Sequence, residues 1–248
     1  MTRRRRVRAE IGVAWRAFLR RRTAVFFTFF FPLVLVLIFG ALVRTGAGTG
    51  GLFTEPPGYY VAGYVTVVVL FTPLTRVGSI VARYRDGNRF EKLATTPLTR
   101  AEWMLAHVAV TAAVVTLAAA LIVALVVVVT EAAIRLTPVV FVFPAVAGVL
   151  FSGIGAILGR LSSSRDGVVA ASNTIALPLL FLSETFVPPS LLPAWFRPLV
   201  ALSPATYFAR ALRAVTYGTG EWVRPAAILV ALALVAFALG ARAIPQTE

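Results

Sequence analysis

The chain has 248 residues, 59% of them apolar, with a mean hydropathy of +0.87 and a formal net charge of +14. A soluble domain is closer to half apolar, so the excess points to a lipid solvent and an integral membrane protein. There is no cysteine, which excludes disulfides, thiolate catalysis, iron–sulfur clusters and cysteine-ligated zinc.

In lipid every backbone polar group needs a partner inside its own segment. The apolar stretches here are continuous and roughly twice the ten-residue alternating segment of a β-barrel, so they are read as helices. The expected fold is all-α integral membrane, a single transmembrane domain over residues 1–248 with six transmembrane helices.

Residues 1–23 carry Arg3, Arg4, Arg5, Arg6, Arg8, Arg16, Arg20, Arg21 and Arg22. Among them Ile11, Trp15, Phe18 and Leu19 form one apolar stripe at helical spacing. The pattern predicts an amphipathic interfacial helix with its arginines toward anionic head groups. The first span, 24–43, is too long for a signal peptide and has no cleavage pattern after it, so it is read as retained.

A glycine-rich loop (Gly46, Gly48, Gly50, Gly51) and Pro56–Pro57 lead into a second span at 59–81. The polar segment 83–102 follows, then a third span at 103–129. At 1.5 Å per residue that span is about 40 Å long, more than the hydrocarbon core, so it should tilt or project. A link with Glu131, Arg135 and Pro138 precedes the fourth span, 139–158. A brief polar loop at 160–166 precedes the fifth, 168–187. A semi-apolar, proline-interrupted stretch at 188–224 separates this from the sixth, 225–242.

The basic residues set orientation. With the amino terminus inside, eighteen fall on the inner side, including Arg76, Arg83, Arg160, Arg165 and Arg242. Six fall outside: Arg44, Arg135, Arg197, Arg210, Arg213 and Arg224. Both termini are therefore placed in the cytoplasm of a multi-pass plasma-membrane protein. The same distribution makes the positive charge a matter of topology, and no nucleic-acid partner is expected.

Catalytic chemistry is sparse. The one histidine, His107, lies a turn into the third span and is read as an interfacial residue facing loops or water. No H-E-x-x-H or G-x-S-x-G occurs. Lys92, the lone lysine, lies between Glu91 and Leu93, which rules out a G-x-x-x-x-G-K-[ST] phosphate cradle. The chain is expected to be no enzyme and to bind no cofactor or metal. Gly153, Gly155 and Gly159 with Ser152 form a small-residue face suited to close helix packing.

Two segments carry a resemblance. Residues Arg83 to Arg100, with Arg85-Asp86-Gly87, Arg89, Glu91, Leu93 and Thr95-Thr96-Pro97-Leu98-Thr99-Arg100, resemble the first cytoplasmic loop of ABC-2 type permeases. The run Leu177 to Ser183, Pro188, Leu192-Pro193-Ala194-Trp195-Phe196 and Ser203-Pro204-Ala205-Thr206-Tyr207 to Arg213 resembles that family's fifth span and outer region. Glu184 departs from the pattern, which has a small residue there.

The resemblance implies a permease subunit that forms half of a translocation pathway in an ATP-driven exporter. ATP and magnesium would be bound by a separate ABC ATP-binding subunit, and a second permease copy or paralogue would complete the path. Arg85, Asp86, Gly87, Arg89, Glu91, Leu93, Thr95, Pro97, Leu98, Thr99 and Arg100 would form a cytoplasmic coupling helix and its flanks, with Leu93, Pro97 and Leu98 as an apolar knob for the partner. Pro188, Pro193, Trp195, Pro204, Tyr207 and Arg213 would belong to outer re-entrant half-helices broken near Pro198 to Pro204. Trp195, Phe196, Tyr207 and Phe208 would anchor these at the interface. Glu184 is a candidate pathway residue, and apolar walls favour an amphipathic or lipid-like substrate. The alternatives are an ATP-independent carrier or a membrane assembly scaffold.

Overall fold

Long apolar runs do fold as helices. In the computed structural model, which describes residues 2–46, 55–186, 192–218 and 220–244 (side chains of 39–46 excepted), every regular element is helical. The order is α1 (Arg3–Leu19), α2 (Arg22–Gly46), a 3-10 turn (Pro57–Tyr60), α3 (Val61–Asp86), α4 (Arg89–Ala94), α5 (Arg100–Thr130), α6 (Val139–Leu161), α7 (Arg165–Phe181), α8 (Arg197–Val200), α9 (Pro204–Thr216) and α10 (Val223–Ala243).

Four segments are long and apolar enough to cross a bilayer by themselves: Pro57–Asp86, Arg100–Thr130, Val139–Leu161 and Val223–Ala243. A fifth arises if α1 and α2, which meet at 75°, count as one broken span. Among the described residues, four or five span candidates therefore stand against the six expected. At a count of four α2 is missing as well; at either count the expected fifth span falls short at α7, which has 17 residues. Its length is about 25 Å, below the ~30 Å hydrocarbon thickness. Of the expected fifth span, Leu182 to Phe186 leave the helix, and residue 187 lies outside the described residues.

The three central helices touch through glycine. A Cβ on Gly155 would sit 2.6 Å from the Leu74 carbonyl oxygen, and one on Gly159 would sit 2.3 Å from that of Gly78, so α6 lies almost backbone-to-backbone on α3. Gly153 does the same against α10, where a Cβ would come within 2.3 Å of the Ala236 oxygen. The small residues thus form two faces rather than one. Positions 155 and 159 are one turn apart, whereas 153 points to roughly the opposite side.

Polar contacts give the bundle two distinct ends. At one, Arg85 donates to the Arg160 carbonyl (2.8 Å), Arg160 to that of Ala243 (3.1 Å), and Arg100 to that of Ile244 (2.7 Å). The carbonyls that close α6 and α10 thereby gain donors. This end, with α1 and the termini of α3, α5, α6, α7 and α10, carries most of the arginines. At the other end the Arg135 amide donates to the Thr216 carbonyl (3.0 Å), joining the link after α5 to α9.

α1 lies at the arginine-rich end. Ala14 and Phe18 pack on Val110 and Val114 of α5. Its charged face closes on the start of α5, where Arg6 forks onto Glu102 (Nη2–Oε1 2.8 Å, Nε–Oε2 3.3 Å) and Arg3 approaches to 3.4 Å. Glu102 also completes a capping box with Thr99: each residue's backbone N–H donates to the other's side chain.

Candidate functional site

At the arginine-rich end, α3 stops at Asp86 and the chain reverses through Gly87 and Asn88. Asn88 adopts a left-handed conformation (φ +50°), which its short amide side chain tolerates better than most residues. α4 follows for six residues. Its inner side is held by Phe90, which is buried and forms an aromatic triad with Tyr84 (5.5 Å) and Trp103 (5.3 Å). Leu93 and Leu98 are half-buried against the same cluster, which includes Val77, Val81 and Met104.

The expected knob is therefore corrected: Leu93 and Leu98 turn inward. Arg89, Glu91, Lys92, Ala94, Thr95, Thr96 and Pro97 are exposed on the outer side. Arg85 is paired with Asp86 (2.9 Å), Arg89 stacks over the Tyr84 ring (5.6 Å), and Gly87 provides the reversal. Thr99 and Arg100 serve the start of α5 and the end of α10, as described above.

His107 does not face water. It is buried beneath α1, with Nε2 at 3.3 Å from Glu10 Oε1 and its ring 4.3 Å from that of Trp103. Beside it Arg76 donates to Thr111 Oγ1 (2.5 Å) and lies 5.3 Å from the Phe18 ring. These pairings join α1, α3 and α5 across large sequence separations, so no local motif signals them.

The opposite end is built around the unwound tail of α7. Ser183, Glu184 and Thr185 are buried, and the turn presses against α3, where a Cβ on Gly63 would meet the Thr185 carbonyl at 2.6 Å. Buried carbonyls outside a helix need donors. Arg213 of α9 supplies them, donating to Glu184 (2.5 Å), Thr185 (3.2 Å) and Tyr59 (3.4 Å) with its guanidinium 4.0 Å over the Tyr59 ring. Burial lowers the Arg213 pKa, while the neighbouring Tyr59 and Glu184 oppose that shift.

Glu184 forms a two-pronged ion pair with Arg210. The hydrogen bonds that Arg210 donates to this carboxylate hold its pKa above the ordinary arginine value. Both residues line a cavity of about 630 Å³ that Tyr59, Tyr207, Glu221 and Arg224 also border.

Pro204 occupies the first turn of α9, where its missing N–H costs nothing. Tyr207 donates its hydroxyl to the Ala201 carbonyl (2.8 Å), closing the corner between α8 and α9, and Ser203 donates to the Leu179 carbonyl (2.8 Å), tying that corner to α7. Pro193 accepts from the Phe196 amide (3.0 Å), and Trp195 is 70% exposed. Phe208 is fully buried in the core, which corrects its assignment as an interfacial anchor. The first expected half-helix is reduced to the single turn α8. Pro188 lies outside the described residues.

The profile of the ABC-2 type transporter family matches residues 7–217. Over 92 residues the chain is 36% identical to a daunorubicin resistance ABC transporter permease protein from Streptomyces coeruleorubidus. That match covers 37% of this chain and 32% of the relative, so the chain spans about a third of the relative's length in the match.

Proposed function

Since the chain belongs to the ABC-2 type transporter family, a family of multi-pass membrane transport subunits, we propose that it is the permease half of an ATP-driven exporter. A separate ABC ATP-binding subunit docks at the arginine-rich end, which faces the cytoplasm. A second permease copy or paralogue completes the pathway. ATP and magnesium belong to the partner.

The observation that carries this reading is the form of α4. It is a short helix that exposes Arg89, Glu91, Lys92 and Thr95 while Phe90 locks its back into the Tyr84–Trp103 cluster. A helix held in this way cannot yield locally when pushed. Closure of the ATPase pair would move α4, and with it the ends of α3 and α5, as one body. α3 carries that displacement to Gly63, where it bears on the Ser183–Phe186 turn. Contacts at the outer end would then shift, and the substrate would leave on that side. α8 and α9 form the outer re-entrant element that covers the exit. The apolar walls fit an amphipathic substrate, and the relative's name, which refers to resistance to a drug, supports that class.

The test is affinity purification of the chain from its native membrane in mild detergent, with an ATPase assay. A stoichiometric P-loop ATPase is expected, with its association weakened about tenfold by Glu91→Arg. A folded chain that purifies alone would overturn the ATP-driven reading and favour a carrier or scaffold.

A further inference from the structure

The charges around the 630 Å³ cavity are not all used by the fold. Arg213 is buried and spends its donors on backbone carbonyls and the Tyr59 face. Glu184 and Arg210 neutralise each other. Arg210 commits Nε and one terminal nitrogen to the carboxylate and remains about two-fifths exposed, so N–H groups are left over. Glu221 and Arg224 are exposed, and neither side chain has a hydrogen bond or ion pair with a described residue. The Tyr59 hydroxyl is buried without a hydrogen-bond partner among the described residues. Among the described residues the cavity therefore presents an unpaired carboxylate, an unpaired guanidinium and the spare donors of a second.

An apolar track leads away from it. Ile228, Ala231, Val235 and Leu239 follow Arg224 at i+4, i+7, i+11 and i+15, so they share one face of α10. Val235 and Leu239 are exposed, and Ile228 itself lines the cavity. A ligand matching both features has a zwitterionic head and an apolar chain.

We propose that this cavity binds the headgroup of a zwitterionic phospholipid, with the phosphate on Arg224 and Arg210, the ammonium on Glu221, and an acyl chain along the Ile228–Leu239 face of α10. A phosphate accepts the planar N–H fork of arginine well, and an ammonium needs the acceptor that Glu221 supplies. The site goes beyond export and holds whichever substrate is moved. It requires only that this end of the bundle lies at a bilayer surface.

The experiment is native mass spectrometry on the delipidated full chain, or on its complex with the ATPase that co-purifies. It is titrated separately with phosphatidylethanolamine, phosphatidylglycerol and soluble glycerophosphoethanolamine. Phosphatidylethanolamine should bind about tenfold more tightly than either of the others. Glu221→Gln should erase its advantage over phosphatidylglycerol, and Arg224→Gln should weaken both lipids about tenfold. Both positions are on the surface, and an unchanged melting temperature in each variant separates lost binding from lost fold. Equal binding of the two lipids, or indifference to both substitutions, would overturn the site. Binding of the soluble headgroup as tightly as the lipid would overturn the phospholipid as its ligand. Absence of an ATPase partner would affect the export reading and leave these outcomes readable.

Discussion

Arg213 shows how one side chain can replace a turn of helix. Beyond Phe181 the backbone is no longer helical, and the carbonyls of Glu184 and Thr185 would be stranded in a buried position. A guanidinium has enough N–H groups, in a fixed plane, to reach these two and Tyr59 together. Arg213→Ala should therefore leave several buried acceptors without donors and destabilise the protein by about 3 kcal/mol or more. Thermal unfolding in detergent measures this. Arg213→Lys should recover only part of the loss, because an ammonium cannot match the spread of the three acceptors. Full stability of the lysine variant would show that charge alone, without the fork, holds the turn.

At the scale of elements, α6 is the helix about which the others are placed, because glycine removes the side chains that would separate it from α3 and α10. Gly153→Ala puts a methyl group within 2.3 Å of the Ala236 carbonyl oxygen, and backbone cannot rotate away as a side chain could. The substitution should cost about 1–3 kcal/mol and lower the unfolding temperature. Gly12→Ala, whose Cβ would meet only the end of Arg16 at 3.7 Å, serves as the control and should leave that temperature unchanged. α1 is held differently, through charge. Glu102→Gln removes the carboxylate that receives Arg6 and Arg3 while leaving an amide able to cap Thr99. Amide hydrogen exchange along α1 should accelerate in that variant, with the first turn of α5 protected as before. Unchanged exchange would assign the docking of α1 to the Phe18–Val114 packing alone.

For the whole molecule, what could be read locally was legible, and what depends on meetings between distant helices was not. Apolar runs marked α2, α3, α5, α6 and α10, because a helix buried in lipid is visible in its own composition. The third span was expected from Trp103, whereas α5 starts at Arg100 with a Thr99–Glu102 capping box, and nothing near Glu102 points to Arg6, 96 residues away. Leu93 and Leu98 looked like an outward knob because periodicity cannot tell which neighbour a short helix leans on, and the Phe90 anchor became evident only with Tyr84 and Trp103 beside it. Glu184 departed from the family pattern, and its partner 26 residues later gives the physical reason that a carboxylate is tolerated there. Sidedness follows from the same logic of charge. The proposed topology puts the arginine-rich end in the cytoplasm, and a sequence without cysteine lets single substitutions test it cleanly. In sealed right-side-out vesicles, Leu202→Cys, at a position 75% exposed at the α8–α9 corner, should react with a membrane-impermeant maleimide. Thr95→Cys, exposed just after α4, should react only after the vesicles are opened. The reverse pattern would invert the topology and place the α4 surface out of reach of any cytoplasmic ATPase.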